Sequence, residues 1–243
     1  MEDRENNRKI SQKMIKIMRN LCLAMFALGI LSFCGLCIYA SDYRTLEEEY
    51  FVIFEQDNIQ TQSDLIYFEG TSDLGLIFYP GGRVEHIAYT PFCQKLQDMG
   101  LHVFLVDMPF NMANFGVNKA NNIMKEYSDI SEWYIGGHSL GGVAANMYAS
   151  SNAEKISGLI LVGIYLSMDY DMEKTITING SNDLRVGDSV DYTTNVHVIS
   201  GGNHAQFGNY GENSGDGEAS ITADQQQNQA VSLITEFMEL KSS

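Results

Sequence analysis

Residues Leu21 to Ala40, "LCLAMFALGILSFCGLCIYA", form a run of twenty residues without a charge, and no other stretch narrows the chain's options so far. At about 1.5 Å per helical residue the run reaches roughly 30 Å, the hydrocarbon thickness of a bilayer, and it reads as one transmembrane helix. It also divides the charge. Arg4, Arg8, Lys9, Lys13, Lys16 and Arg19 against three acidic residues give the first twenty residues +3, whereas the remainder stands at −19. Basic residues before the run, with only Arg44 close behind it, place the N-terminus in the cytoplasm and everything after Ala40 outside. The alternative is a cleaved signal peptide, whose apolar region is usually about 7 to 15 residues and ends in a small-x-small site. Ile38 interrupts that pattern before Ala40, and the bulky Phe33 and Leu36 before Cys34 and Cys37 are unlike sites of lipid processing. The expected organisation is a basic tail over 1–20, an anchor over 21–40, a polar stem over 41–49 and a globular domain over 50–243.

Cys22, Cys34 and Cys37 all fall within the apolar run, which leaves Cys93 alone in the rest of the chain and allows no internal disulfide there. So acidic a domain lacks the basic patch that nucleic-acid phosphates require. Beyond the stem, apolar runs rich in β-branched and aromatic residues alternate with helix-like stretches, the rhythm of an α/β protein with a mostly parallel sheet flanked by helices. Tyr50 to Gln56 and "SDLIYFEG" come first with no helix between them and are expected to form an antiparallel pair. "LGLIFYPGG" follows as a buried strand. Thr90-Pro91 then opens a helix stopped by Gly100. "LHVFLVDMP", the strand entering "GGHSLGG", "ISGLILVGIY", "KTITING" and "TNVHVISGG" are the further strands. Helices are expected near Lys119 to Tyr127, over Gly141 to Ser150 and over Ala223 to Lys241.

In this order of elements Ser139 falls on the turn between a buried strand and a helix, the setting of a nucleophile elbow. Gly137 and Gly141 are required there for clearance, because strand and helix backbones nearly touch at so sharp a turn. A glycine–serine motif alone arises by accident on the order of one time in ten in a chain of this kind. A serine is also a weak nucleophile at neutral pH, so it needs a base and a group to orient that base. Asp183 stands just after a later strand, and His204 just after the last one, in the order nucleophile, acid, base. Taken alone, Asp183 in "GSND" is equally a turn residue. His86 and His102 come too early in the chain, His138 lies inside the turn and is expected to point away, and His197 lies within a strand, which leaves His204 as base. An oxyanion hole needs two N–H groups already in place. Leu140 at the start of the helix offers one and Gly82, after "LIFYP", the other. Phe110, Asn111 and Met112 either line a substrate pocket or pack the loop. The "GENSGDGE" loop lacks the spacing of a calcium loop, and no cofactor or metal fingerprint is present.

From about Leu74 to the C-terminal helix the chain resembles a small, uncapped bacterial α/β-hydrolase of the esterase and dienelactone-hydrolase-like branches. The resemblance rests on "FYPGGRVE", "MPFN", "GGHSLGG", "GSND", "GGNHAQFGNYG" and "GDG". It implies an α/β-hydrolase fold, with Ser139, Asp183 and His204 as nucleophile, acid and base, and a small-molecule ester as substrate. Dienelactone hydrolases use a cysteine nucleophile, so their substrate does not carry over. Tyr165 to Lys174 is too short for a large lid. The expectation is a membrane-anchored, extracytoplasmic serine hydrolase. The alternatives are a catalytically idle module of the same fold, or an acyltransferase or thioesterase using the same triad.

Overall fold

The structure, a computed structural model, describes residues 2–186 and 191–238. Its chain falls into two units, Met1–Asp42 and Tyr43–Ser243. The first is a single helix, α1 (Glu2–Ser41). It runs unbroken through the basic tail because no glycine or proline interrupts it before Gly29. Its part Gln12–Ser41 is long and apolar enough to cross a membrane, a property that signal sequences share.

The second unit is built on eight strands: β1 (Ile59–Thr61), β2 (Leu65–Phe68), β3 (Leu74–Tyr79), β4 (His102–Val106), β5 (Glu132–His138), β6 (Gly158–Val162), β7 (Thr175–Gly180) and β8 (Val196–Ile199). They lie in the order β1-β2-β4-β3-β5-β6-β7-β8. All neighbours from β4 to β8 are parallel, and the β1–β2 and β2–β4 pairs are antiparallel. The helices are α2 (Thr90–Asp98), α3 (Ala120–Glu126), α4 (Leu140–Ser151) and α5 (Ala223–Phe237). The expected continuation of α5 to Lys241 lies outside the described residues.

Period-two alternation sorts the strand side chains between two cores. Leu76 and Phe78 of β3 join Phe92 and Leu96 of α2 and Val231 and Ile234 of α5 on one face. Ile77 and Tyr79 join Ile123 of α3 and Ala144 and Tyr148 of α4 on the other. With both faces covered, the middle strands read as continuous apolar runs. The chain crosses from β4 past β3 to β5, so the strand order reverses beside β3 and opens a crevice at the C-terminal edge of the sheet, where ligands of such sheets bind.

Two segments differ from expectation. Tyr50 to Gln56 is not a strand; Glu48–Glu55 forms a 3-10 helix, and Ile59–Thr61 supplies the antiparallel partner of β2. The apolar residues that turn inward there, Leu46, Tyr50, Ile53 and Phe54, recur at helical rather than alternating spacing, while Phe51 and Val52 face solvent. The residues expected as a polar stem are bound to the sheet unit from Arg44 onward. Arg44 N–H donates to Arg83 O at 2.9 Å, Glu85 N–H to Arg44 O at 2.8 Å, and Glu47 N–H to Asn209 O at 3.0 Å, with Leu46 buried between.

Candidate active site

Ser139 stands between β5 and α4 at φ 53° and ψ −119°, a backbone region that costs a side-chain-bearing residue on the order of 1–3 kcal/mol. Packing on every side enforces it. A Cβ on Gly137 would stand 2.5 Å from Gly141 C and 2.6 Å from Tyr79 O, and one on Gly141 would press into Tyr79 O and stand 2.5 Å from Pro80 O. Strand, turn and helix therefore close on one another only because these two positions are glycine. Ser139 N–H donates to Val162 O at 2.9 Å, and its carbonyl accepts the N–H of Val143 at 3.1 Å. The turn is tied at once to β6 and to the first turn of α4.

Asp183 and His204 come together at the same edge of the sheet. His204 Nδ1 and Asp183 Oδ2 are 2.8 Å apart, with side chains 4% and 1% exposed. Their loops meet at glycines: a Cβ on Gly180 would run into the backbone of Gly202, and Asn182 N–H donates to Gly202 O at 2.8 Å. Asp183 Oδ1 accepts the N–H of Arg185 at 2.9 Å, which fixes the carboxylate's orientation. The His204 ring lies 4.5 Å from that of His138, the residue before Ser139, and a Cβ on Gly163 would meet both imidazoles. Asp183 and His204 thus meet at the ends of β7 and β8, beside the turn after β5 that carries His138 and Ser139.

Gly82 and Leu140, the two expected oxyanion donors, are neighbours. A Cβ on Gly82 would lie 2.9 Å from Leu140 Cδ2, so the loop after β3 passes directly over the first residue of α4. Helix N-terminal N–H groups have no partner inside the helix, which leaves that of Leu140 for a ligand. Gly81 N–H is taken by the Tyr89 hydroxyl at 3.1 Å, and the adjacent Gly82 is the next donor along the loop.

The loop after β4 holds two residues at positive φ, Phe110 at 59° and Asn111 at 52°. Asn111 O accepts the N–H of Arg83 at 2.7 Å, which joins this loop to the one bearing Gly82. Phe110 is 40% exposed and stands edge-on to Phe115, with 5.7 Å between ring centroids. Asn111 and Met112 are half-buried. Nearby, His86, its Nδ1 3.4 Å from Asp107 Oδ1, and then Lys119 hold the Asp107 carboxyl below its usual range, against partial burial.

Sequence reasoning missed the residues that hold His204. Asp216 accepts three N–H groups, from His204 at 3.1 Å, Ala205 at 2.8 Å and Gly217 at 2.9 Å. Gln226 of α5 grips Asn203 from both ends, accepting its N–H at 3.0 Å and donating to its carbonyl at 2.7 Å. Gln227 donates to Asn209 Oδ1 at 2.8 Å. Both glutamines are fully buried on the core-facing side of the terminal helix, a setting the sequence reading of α5 passed over. His138, expected to point away from the chemistry, is instead buried against Tyr89 and the His204 ring. Burial first, then the neighbouring His204, push its imidazole well below the ordinary value.

A family model described as the alpha/beta hydrolase family matches residues 75–228. Among solved structures, a candidate lipase from Acinetobacter baumannii AYE aligns with a TM-score of 0.54 at 12% identity, covering 76% of this chain and 93% of its own. A predicted CIB-like hydrolase from Thermoplasma acidophilum gives 0.53 at 13% identity, over 73% and 96% of the two chains. Dienelactone hydrolase from Anabaena variabilis gives 0.50 at 13%, over 74% and 98%. At such identities the likeness is one of fold. Comparison with curated protein sequences finds no match.

Proposed function

The chain belongs to the alpha/beta hydrolase family, and from that premise we propose that it is a membrane-anchored serine hydrolase acting on carboxylic esters. The observation that carries this reading is the buried Asp183–His204 pair at 2.8 Å, set at the sheet edge where Ser139 is held at φ 53°. His204 takes the proton of Ser139 through Nε2, and Ser139 Oγ attacks the ester carbonyl. Asp183 accepts from Nδ1–H, fixes the tautomer and stabilises the imidazolium that forms. The N–H groups of Leu140 and Gly82 meet the oxyanion. His204 then gives its proton to the leaving alcohol, and water, activated by the same imidazole, releases the acid from Ser139. Phe110, Asn111 and Met112 flank the entrance. In this reading residues 1–20 are cytoplasmic, 21–40 span the membrane, and the sheet unit lies outside the cell, anchored rather than released.

The full-length chain in detergent, treated with a fluorophosphonate probe, is expected to label at Ser139, with Ser139→Ala unlabelled and His204→Ala slower by at least about a thousandfold. Folded wild type that stays unlabelled, or a serine variant that labels equally, sinks the enzyme. Protease added to intact cells is expected to digest the sheet unit and spare residues 1–20. Protection of that unit reverses the orientation, and a mature chain that starts near Ser41 replaces the anchor with a signal peptide.

A further inference from the structure

One fully buried cluster lies directly behind this chemistry. Tyr89 precedes α2, has no exposed surface, and packs its ring 5.6 Å from Phe78 and 5.7 Å from His138 between centroids. Its hydroxyl accepts the N–H of Gly81 at 3.1 Å and stands 2.8 Å from His138 Nδ1. Gly81 immediately precedes Gly82, and His138 immediately precedes Ser139. One oxygen therefore touches the loop of the second oxyanion donor and the turn of the nucleophile. Through the His138 ring, 4.5 Å from His204, it also reaches the base.

A phenol has one proton and two acceptor lone pairs. With one lone pair committed to Gly81 N–H, the hydroxyl keeps one proton and one lone pair for His138 Nδ1, so either tautomer of a neutral imidazole completes the bond. Burial favours the same neutral form. Neutrality matters because His204 becomes an imidazolium when it takes the serine proton. A second positive ring at this separation would oppose that step. The hydroxyl also withdraws Gly81 N–H from any ligand, so the loop has Gly82 left to present.

We propose that Tyr89 is a positioning residue for this reaction: its hydroxyl locks the Gly81–Gly82 loop and the His138–Ser139 turn into one arrangement, with the Gly82 N–H facing the developing oxyanion. This rests on the serine-hydrolase reading above. Tyr89→Phe keeps the ring and removes only the junction. His138→Leu removes the other half, and His138→Asn restores a hydrogen-bonding amide near the place of Nδ1.

The test uses the full-length chain in detergent, with p-nitrophenyl acetate as substrate, a fluorophosphonate as label and phenylboronic acid as an oxyanion-bearing inhibitor. Tyr89→Phe is expected to lower kcat about 10- to 100-fold with KM within about twofold, and to weaken phenylboronic acid by a similar factor. His138→Leu should match it, His138→Asn should recover most of the loss, and the double variant Tyr89→Phe/His138→Leu should be no worse than either single one. A lowered unfolding midpoint with unchanged kcat makes Tyr89 a packing residue and overturns the proposal, as do losses that multiply in the double variant. Wild type that fails to react with the fluorophosphonate overturns the serine-hydrolase reading and this proposal with it. Wild type that reacts, beside Tyr89→Phe at an equal rate, overturns this proposal alone.

Discussion

The turn at Ser139 and the turn at Phe110 both hold side chains at positive φ, 53° and 59°, at the ends of neighbouring crossover units of one sheet. They are held by different means. Ser139 is itself half-buried, but at Gly137 and Gly141 beside it β3, β5 and α4 approach so closely that a single added methyl group has no place. Phe110 and Asn111 lie in the ordinary left-handed helical basin, partly in solvent, and are kept there by hydrogen bonds such as Asn111 N–H to Met108 O at 2.9 Å. Strain at the first turn is a property of the packed scaffold, whereas at the second it is a local choice that a different loop residue could relax.

Substitutions at the two turns should therefore differ in kind. The largest expected effect is on the chemistry the first turn serves: Asp183→Asn, which leaves the packing intact, should lower ester turnover on the order of 10⁴-fold by favouring the wrong tautomer of His204. Steady-state kinetics beside a circular-dichroism check of fold would show it, and a drop below tenfold would remove Asp183 from its role. Next comes Gly141→Ala, expected to cost about 3 kcal/mol or more, read from urea unfolding, because the methyl group meets only backbone. Its counterpart in the second loop is Gly116→Ala. There the obstruction is the flexible Met108 side chain, at 2.5 Å from Sδ, and the expected cost is under about 1 kcal/mol. Equal costs at the two glycines would erase the contrast.

Acid should separate the two turns as well. Buried His138 has its pKa depressed in the folded state, whereas in the unfolded chain it protonates near the usual value of about 6.5. Below that value and above the depressed one, the unfolded state binds more protons, so stability present at neutral pH is lost as the pH falls. The loss runs at up to about 1.4 kcal/mol per pH unit. Unfolding curves between pH 6.5 and 5.5 should slope less for His138→Asn than for wild type, and parallel slopes would contradict a buried neutral imidazole. The smallest effect is expected for Asn111→Gly, within about 0.5 kcal/mol of wild type in the same assay, since asparagine already tolerates the left-handed basin.

The first turn was legible in the sequence and the second was not, for a physical reason. Steric clearance at the Ser139 turn can be met only by glycine, so it leaves a mark in "GGHSLGG". The order of Asp183 and His204 after later strands supplied the rest. Hydrogen bonds accepted by Asn111 O and Asp216, and those made by Gln226, can be formed by many residue types at many spacings, so they leave no periodic trace. The Tyr89 junction joins residues forty-nine apart and was invisible for the same reason. Tyr50 to Gln56 misled because a short aromatic run favours a strand locally, and contacts of Leu46, Tyr50 and Ile53 with the sheet unit decided otherwise.

The bonds of Arg44 and Glu47 have a mechanical consequence. The polypeptide enters the sheet unit beside Arg83 and Asn209, one residue from Gly82 and five from His204. A pull on the backbone at Tyr43 would reach these two loops, next to Gly82 and His204, before it reached the strands. A chain cut before Tyr43 keeps this load path unstressed, and a chain cut before Tyr50 lacks it altogether. Residues 44–47 and the edge that carries Gly82 and His204 thus share one set of hydrogen bonds.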